Sequence, residues 1–109
     1  MQPKGRPKKY RIIKKEPEIL KFSPRGKPGR PEEIELNIEE FEAIRLTDHQ
    51  GLRQDQAAKS MGISQQTVSR VLRKARKKMA DTLIGGKIIK IKGGRFIIKS
   101  NHSMPAKQL

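Results

Sequence analysis

Between Ser64 and Lys77 the chain gathers side chains suited to hydrogen-bonding the edges of bases and the oxygens of phosphates. Gln65, Gln66, Ser69 and Arg70 present amide, hydroxyl and guanidinium groups, the types that read base edges in the major groove of a duplex. Ser64 and Thr67 add hydroxyls for phosphate. Arg73, Lys74 and Lys77 extend the basic face past the reach of bases, where contacts position rather than specify. Five arginines or lysines fall between 70 and 77 with no acidic residue among them. On a helix these groups share an outward face, opposite an apolar stripe of Val68, Val71, Leu72, Ala75 and Met79. The competing reading is a helical hairpin whose polar face is only solvated, since a short match of this kind is weak alone.

The elements that must hold this face are written into the flanking residues. Over 54–71 the sequence reads as two short helices joined by a tight turn. Ala57, Ala58 and Met61 line one face of the first helix, and Ala58 is small enough for the second to cross close above it. Gly62 stands where a chain leaving a helix turns through positive φ, Ile63 fills the corner, and Ser64 is an N-cap type for the second helix. That helix is expected to run to about Leu83, before Gly85-Gly86. Turn, cap and core residues all agree in register, which favours a recognition helix over a solvated hairpin. Upstream, Asn37 and Glu40 form a capping-box pattern for another helix that buries Ile38, Phe41, Ile44 and Leu46 and ends at Gly51.

Charge is the dominant global fact. Among 109 residues, 26 are basic and 11 acidic, a net of +15, so the surface attracts polyanions and repels its own kind. It is unevenly spread: +9 over 1–30, −6 over 31–52, +7 over 53–80 and +5 beyond. The acidic helix is expected to form the back of the domain, turned away from phosphate. Its carboxylates lack a His or Asp at ligand spacing, so neither a metal site nor a cofactor is expected. No nucleophile sits with a base at credible spacing, which argues against an enzyme. Cysteine is absent, removing disulfides, cysteine–zinc sites and thiol catalysis together. No apolar run exceeds three residues, so no membrane partner is expected and the cytoplasm, with the nucleoid, is the expected compartment. A hydrophobic content of 33% supports only a small core.

The whole chain divides into a basic extended N-terminal arm (1–30), a helix-turn-helix domain (31–84), a β-hairpin (85–99) and a disordered tail (100–109). The fold class is therefore mainly α. In the arm, Gly5-Arg6-Pro7 with Lys8 and Lys9 is similar to an AT-hook that lays Arg6 in a narrow minor groove. The alternative is a tail that binds any phosphate backbone. The hairpin turns at Gly93-Gly94, sets Ile91 against Phe96 and Ile89 against Ile98, and carries Lys92 opposite Arg95 at its tip. Either it serves as a wing whose Lys92 and Arg95 hold phosphates, or it is purely structural, packed on the helices or on a second subunit.

Phe-Ser-Pro-Arg-Gly (22–26), Glu-Phe-Glu-Ala-Ile-Arg-Leu (40–46), the run 56–72, Ala75-Arg76 and Ile91-Lys92-Gly93-Gly94 together resemble the prokaryotic domain-of-unknown-function family 134. The helix-turn-helix of that family is similar to region four of sigma factors. The resemblance implies a DNA-binding protein with Ser64, Gln65, Gln66, Thr67 and Arg70 on the recognition segment. The chain departs from the family in two places. It has no cysteine near Ile12–Ile13, so no metal or redox role is carried over there. Arg53 stands where a capping serine is usual, so a less sharp helix start is expected.

These readings converge on sequence-specific binding of double-stranded DNA and transcriptional regulation. A homodimer would read two half-sites. The alternatives are an RNA- or ribosome-associated basic protein, for which the chain carries few aromatics to stack on bases, and a sigma-like adaptor touching RNA polymerase through the acidic helix.

Overall fold

Helix α1 (Ile38–Ile44) starts on Asn37, whose backbone N–H donates to Glu40 Oε1 at 2.8 Å, the return half of a capping box. It continues through a π-helical turn (Arg45–His49) and stops at Gly51, which takes a φ of 82°. Helix α2 (Gln54–Met61) begins with the same return bond, the Arg53 N–H donating to Gln56 Oε1 at 2.9 Å, while the Arg53 guanidinium, which has no acceptor, gives the first-turn N–H groups no side-chain cap. Gly62 exits α2 at a φ of 69°. Helix α3 (Gln65–Gly85) then starts on Ser64, whose Oγ accepts from the Thr67 N–H at 3.0 Å, and it closes at Gly86. This computed structural model describes residues 10–26 and 29–99, and the helices are compatible with the helix-turn-helix core expected from the sequence.

Two apolar clusters sit along α3. The first joins α1, the π turn and α2 to the start of α3 through Ala43, Leu46, Ala57, Met61, Val68 and Leu72. The second lies beneath the middle of α3 and holds Ile13, Leu36, Ile38, Ala75, Ile89 and Ile91. Ile44 packs on both, so the two cores are continuous under one helix. The alanines at 57, 58 and 75 keep the inward faces of α2 and α3 thin where neighbouring elements approach.

Five short strands complete the described fold. β3 (Glu33–Leu36) and β4 (Ile88–Ile91) run parallel, with β2 (Lys21–Phe22) antiparallel on the other side of β4. β1 (Arg11–Ile13) pairs in parallel with β5 (Phe96–Ile98). The two C-terminal strands thus lie where the sequence places them and are joined across Gly93-Gly94, but they do not pair with each other. Ile91 stands beside Leu36, Ile89 beside Phe22 and Ile34, and Phe96 beside Arg11. The observed pairing buries Ile89 and Ile91 with Leu36 in the second core, and charge agrees with it. The hairpin register opposes Lys92 to Arg95, whereas the observed pairing brings Lys87 to Glu32 (3.3 Å), Lys90 to Glu33 (3.7 Å) and Lys92 to Glu35 (3.3 Å). The loop between β4 and β5 instead clasps the start of α1, with the Ile38 N–H donating to the Gly93 carbonyl at 3.0 Å and the Arg95 N–H to Glu39 Oε1 at 2.9 Å.

The segment 11–22, expected within the extended arm, belongs to this fold. Ile13 is wholly buried, the Arg11 N–H donates to the Arg95 carbonyl at 3.1 Å, and the Lys99 N–H donates to the Ile13 carbonyl at 2.8 Å. Arg6, Lys8 and Lys9 of the arm, and the tail from 100 onward with His102, lie outside the described residues.

Gly62 carries a double constraint, because a Cβ there would adopt positive φ and stand 3.1 Å from Ile12 Cδ1. Gly62→Ala should therefore lower stability by about 1–2 kcal/mol, seen as a lower urea midpoint at unchanged slope. An unchanged midpoint would show that β1 does not press on this turn.

Candidate nucleic-acid interface

Each residue of α3 turns about 100° from the last, so Gln66, Arg70, Arg73 and Lys77 fall on one face, spread over roughly 16 Å of axis. All four are exposed, while Val68, Val71, Leu72 and Ala75 point into the core. Gln65 and Lys74 flank this stripe and are exposed; Ser69 and Thr67 are half-buried at its edges. Ser64 and Thr67 are engaged with each other, their hydroxyl oxygens 2.9 Å apart, so both hydroxyls are occupied in starting the helix.

Three other basic residues of α3 meet carboxylates. Arg76 makes a two-pronged contact with Asp48 (2.7 and 3.1 Å) and ties α3 to the turn that follows α1. Lys78 donates to Glu40 Oε1 and to the Glu35 carbonyl, each at 2.8 Å. Lys77 meets Asp81 one turn on at 2.7 Å, an exposed pair of little energetic weight. By contrast, Arg70, Arg73 and Lys74 make no ion pair among the described residues. The expected wing looks different from its sequence picture. Lys92 is paired with Glu35, and Arg95 is exposed in the loop beside the start of α1 rather than at a hairpin tip.

Nor is α1 an acidic back face. Glu40 and Glu42 are 2% and 0% exposed. Glu42 accepts from Arg45 Nε and Nη2 (2.8 Å each) and from the Lys14 backbone N–H (2.9 Å). That hydrogen bond holds the Arg45 guanidinium above its ordinary pKa, against the opposing effect of burial. Acidic residues in the sequence signalled charge but not burial; only the fold could show that these two carboxylates have donors waiting. No group of three or more His, Asp or Glu side chains that could hold a metal stands among the described residues, and no described helix is long and apolar enough to cross a membrane.

The fold and this face define a small, strongly basic protein of three helices and short strands that exposes one polar, cationic helix face. It belongs to the family described as "Protein of unknown function DUF134", which matches residues 1–99. Similar chains include a UPF0251 protein of Desulfosudis oleivorans, 45% identical over 93 residues, covering 84% of this chain and 67% of that one. A UPF0251 protein of the archaeon Methanococcus maripaludis strain C7 is 46% identical over 97 residues, covering 88% and 75% respectively. One of Prosthecochloris aestuarii is 45% identical over 91 residues, covering 83% of this chain but 59% of its own length. No solved structure matches the chain.

The Arg76 hydrogen bonds hold the Asp48 carboxyl below the usual carboxylate range. A depressed folded value means stability that is present above the unfolded carboxyl pKa and is lost as pH falls through the folded one. Wild-type should therefore melt higher than Asp48→Asn near neutral pH, with the difference closing below about pH 4. Thermal melts from neutral pH to pH 2.5 check this; a difference that does not change with pH would remove the ion pair from the account.

Proposed function

We propose that this chain is a sequence-specific double-stranded DNA-binding protein acting in transcriptional regulation, without catalysis, at the nucleoid. α2 crosses behind α3 and leaves the N-terminal half of α3 to enter the major groove. Gln65, Gln66, Ser69 and Arg70 read bases there, and Arg73, Lys74 and Lys77 hold phosphates on either side. The observation that carries this reading is the division of charge. Along α3, Arg76, Lys77 and Lys78 each meet a carboxylate, whereas Arg70, Arg73 and Lys74, nearer its start, have none among the described residues. A cation left unmatched on a helix whose neighbours are matched is poised for an external anion.

The alternatives find less support. A polymerase contact through α1 needs accessible carboxylates, but Glu40 and Glu42 are buried and Glu39 is engaged by the Arg95 N–H and lies 3.6 Å from Arg11 Nε. RNA binding by base stacking needs exposed aromatics near the cations, and the exposed ones, Tyr10 and Phe22, are not on α3.

Arg70→Ala should cost about 1–3 kcal/mol on a cognate site and little on random duplex, whereas Lys77→Ala should weaken both alike and lower the salt slope by about one unit. Titrations of both duplexes across salt concentrations separate the two roles. Equal losses on both duplexes for Arg70→Ala would contradict base reading by this residue.

A further inference from the structure

At the far end of α3 from the reading residues, the molecule has an uncovered apolar groove of about 580 Å³. The buried Leu36, Ile89 and Ile91 floor it, Phe41 and Ile44 of α1 and Met79 of α3 wall it, and Phe22 and Leu83 stand at its rim. Leu83 is 80% exposed and Phe22 51%, with Ile19 and Leu20 also more than half exposed on the strand approach. We infer that this groove is the site where a second copy of the chain docks, Leu83 and Phe22 of each copy entering the groove of the other about a two-fold axis.

Three observations select this occupant. First, the patch holds both projecting side chains and a slot to receive them, which an isologous interface requires of a single surface. Second, the local charge is low on a chain of net +15. Of the cations lining the groove, Arg45 is matched by Glu42 at 2.8 Å and Lys15 by Glu18 at 3.7 Å, which leaves Lys21, exposed between Leu20 and Phe22, as the unmatched cation of the strand approach among the described residues, a small repulsion for two copies to meet here. Third, the four exposed side chains bring on the order of 400 Å² of apolar surface per copy before the groove walls are counted, about half of what a standard interface buries on each side. With the groove walls added, an area of this order fits a reversible dimer rather than an obligate one.

The inference deepens the DNA-reading proposal and, for its spacing consequence, rests on it. Gln66 lies about 26 Å along the axis from Leu83. Helices that meet near Leu83 and cross at an angle therefore set their reading segments up to ~50 Å apart, a span that includes the ~34 Å between half-sites one helical turn apart.

Sedimentation analysis of the intact chain without DNA, from about 1 to 100 µM, tests the dimer independently of base reading. Wild-type should move from monomer to dimer across this range. Leu83→Lys should raise the dissociation constant about tenfold or more with an unchanged circular dichroism spectrum, because a lysine at the rim enters an apolar slot. Ile84→Lys is the control, since Ile84 is 89% exposed and points about 100° away from Leu83. Its dissociation constant should match wild-type. A chain that stays monomeric throughout, whether the groove then takes an apolar molecule or a foreign protein, overturns the inference. So does association that Ile84→Lys abolishes and Leu83→Lys leaves intact. A monomer that still selects a DNA motif would refute the dimer and spare the reading face; a dimer that selects none would do the reverse.

Discussion

Two carboxylates on one turn of α1, those of Glu40 and Glu42, are taken out of water, and the surrounding elements are arranged to satisfy them. An ionised group buried without donors is too costly to keep, so each must be met by hydrogen bonds. Glu42 is met by Arg45 and by the Lys14 backbone, which fixes the segment following β1 against α1. Glu40 is met by the Asn37 backbone and by Lys78, which also reaches the Glu35 carbonyl and so joins α3, α1 and β3 at one ammonium. Buried ion pairs are weak contributors to net stability, yet removing one partner is strongly destabilising, because the other charge is left stranded. Their effect is geometric: α3 can lie across α1 only where Lys78 meets Glu40, and that crossing sets where Gln66, Arg70 and Arg73 face.

The same accounting explains the acidic block in a basic chain. Glu32, Glu33 and Glu35 pair with Lys87, Lys90 and Lys92 across β3 and β4, and Asp48 pairs with Arg76. These acidic residues are thus matched within the fold by neighbouring cations. Among the cations left without a carboxylate, Arg70, Arg73 and Lys74 stand together on one exposed helix, where they can raise the local concentration of a polyanion and orient its approach.

The helices were legible in the sequence because their signals are local. Asn37, Gly51, Gly62, Ser64 and Gly86 each act within one turn of chain, and the apolar stripes of α2 and α3 repeat at helical spacing. The sheets were not. Gly93-Gly94 lies in the loop between β4 and β5, and no local rule states that Ile89 will pair with Ile34, more than fifty residues back, or that Phe96 will pair with Arg11. The clue was present in the like charges that the hairpin register set face to face, and in an acidic strand without a partner. For the site, the residue types on the outer face of α3 were legible. The pairing of Arg76, Lys78 and Lys92 with carboxylates was not, because it depends on acidic residues brought near by the fold.

Selection of bound sites from a random duplex library at physiological salt, with single-stranded RNA as competitor, tests the central claim most directly. The account predicts an enriched motif that is lost when Gln66 and Arg70 are replaced by alanine and that RNA does not displace. Salt-sensitive binding with no enriched motif, or displacement by RNA, would contradict it and leave a protein that recognises polyanions by charge alone.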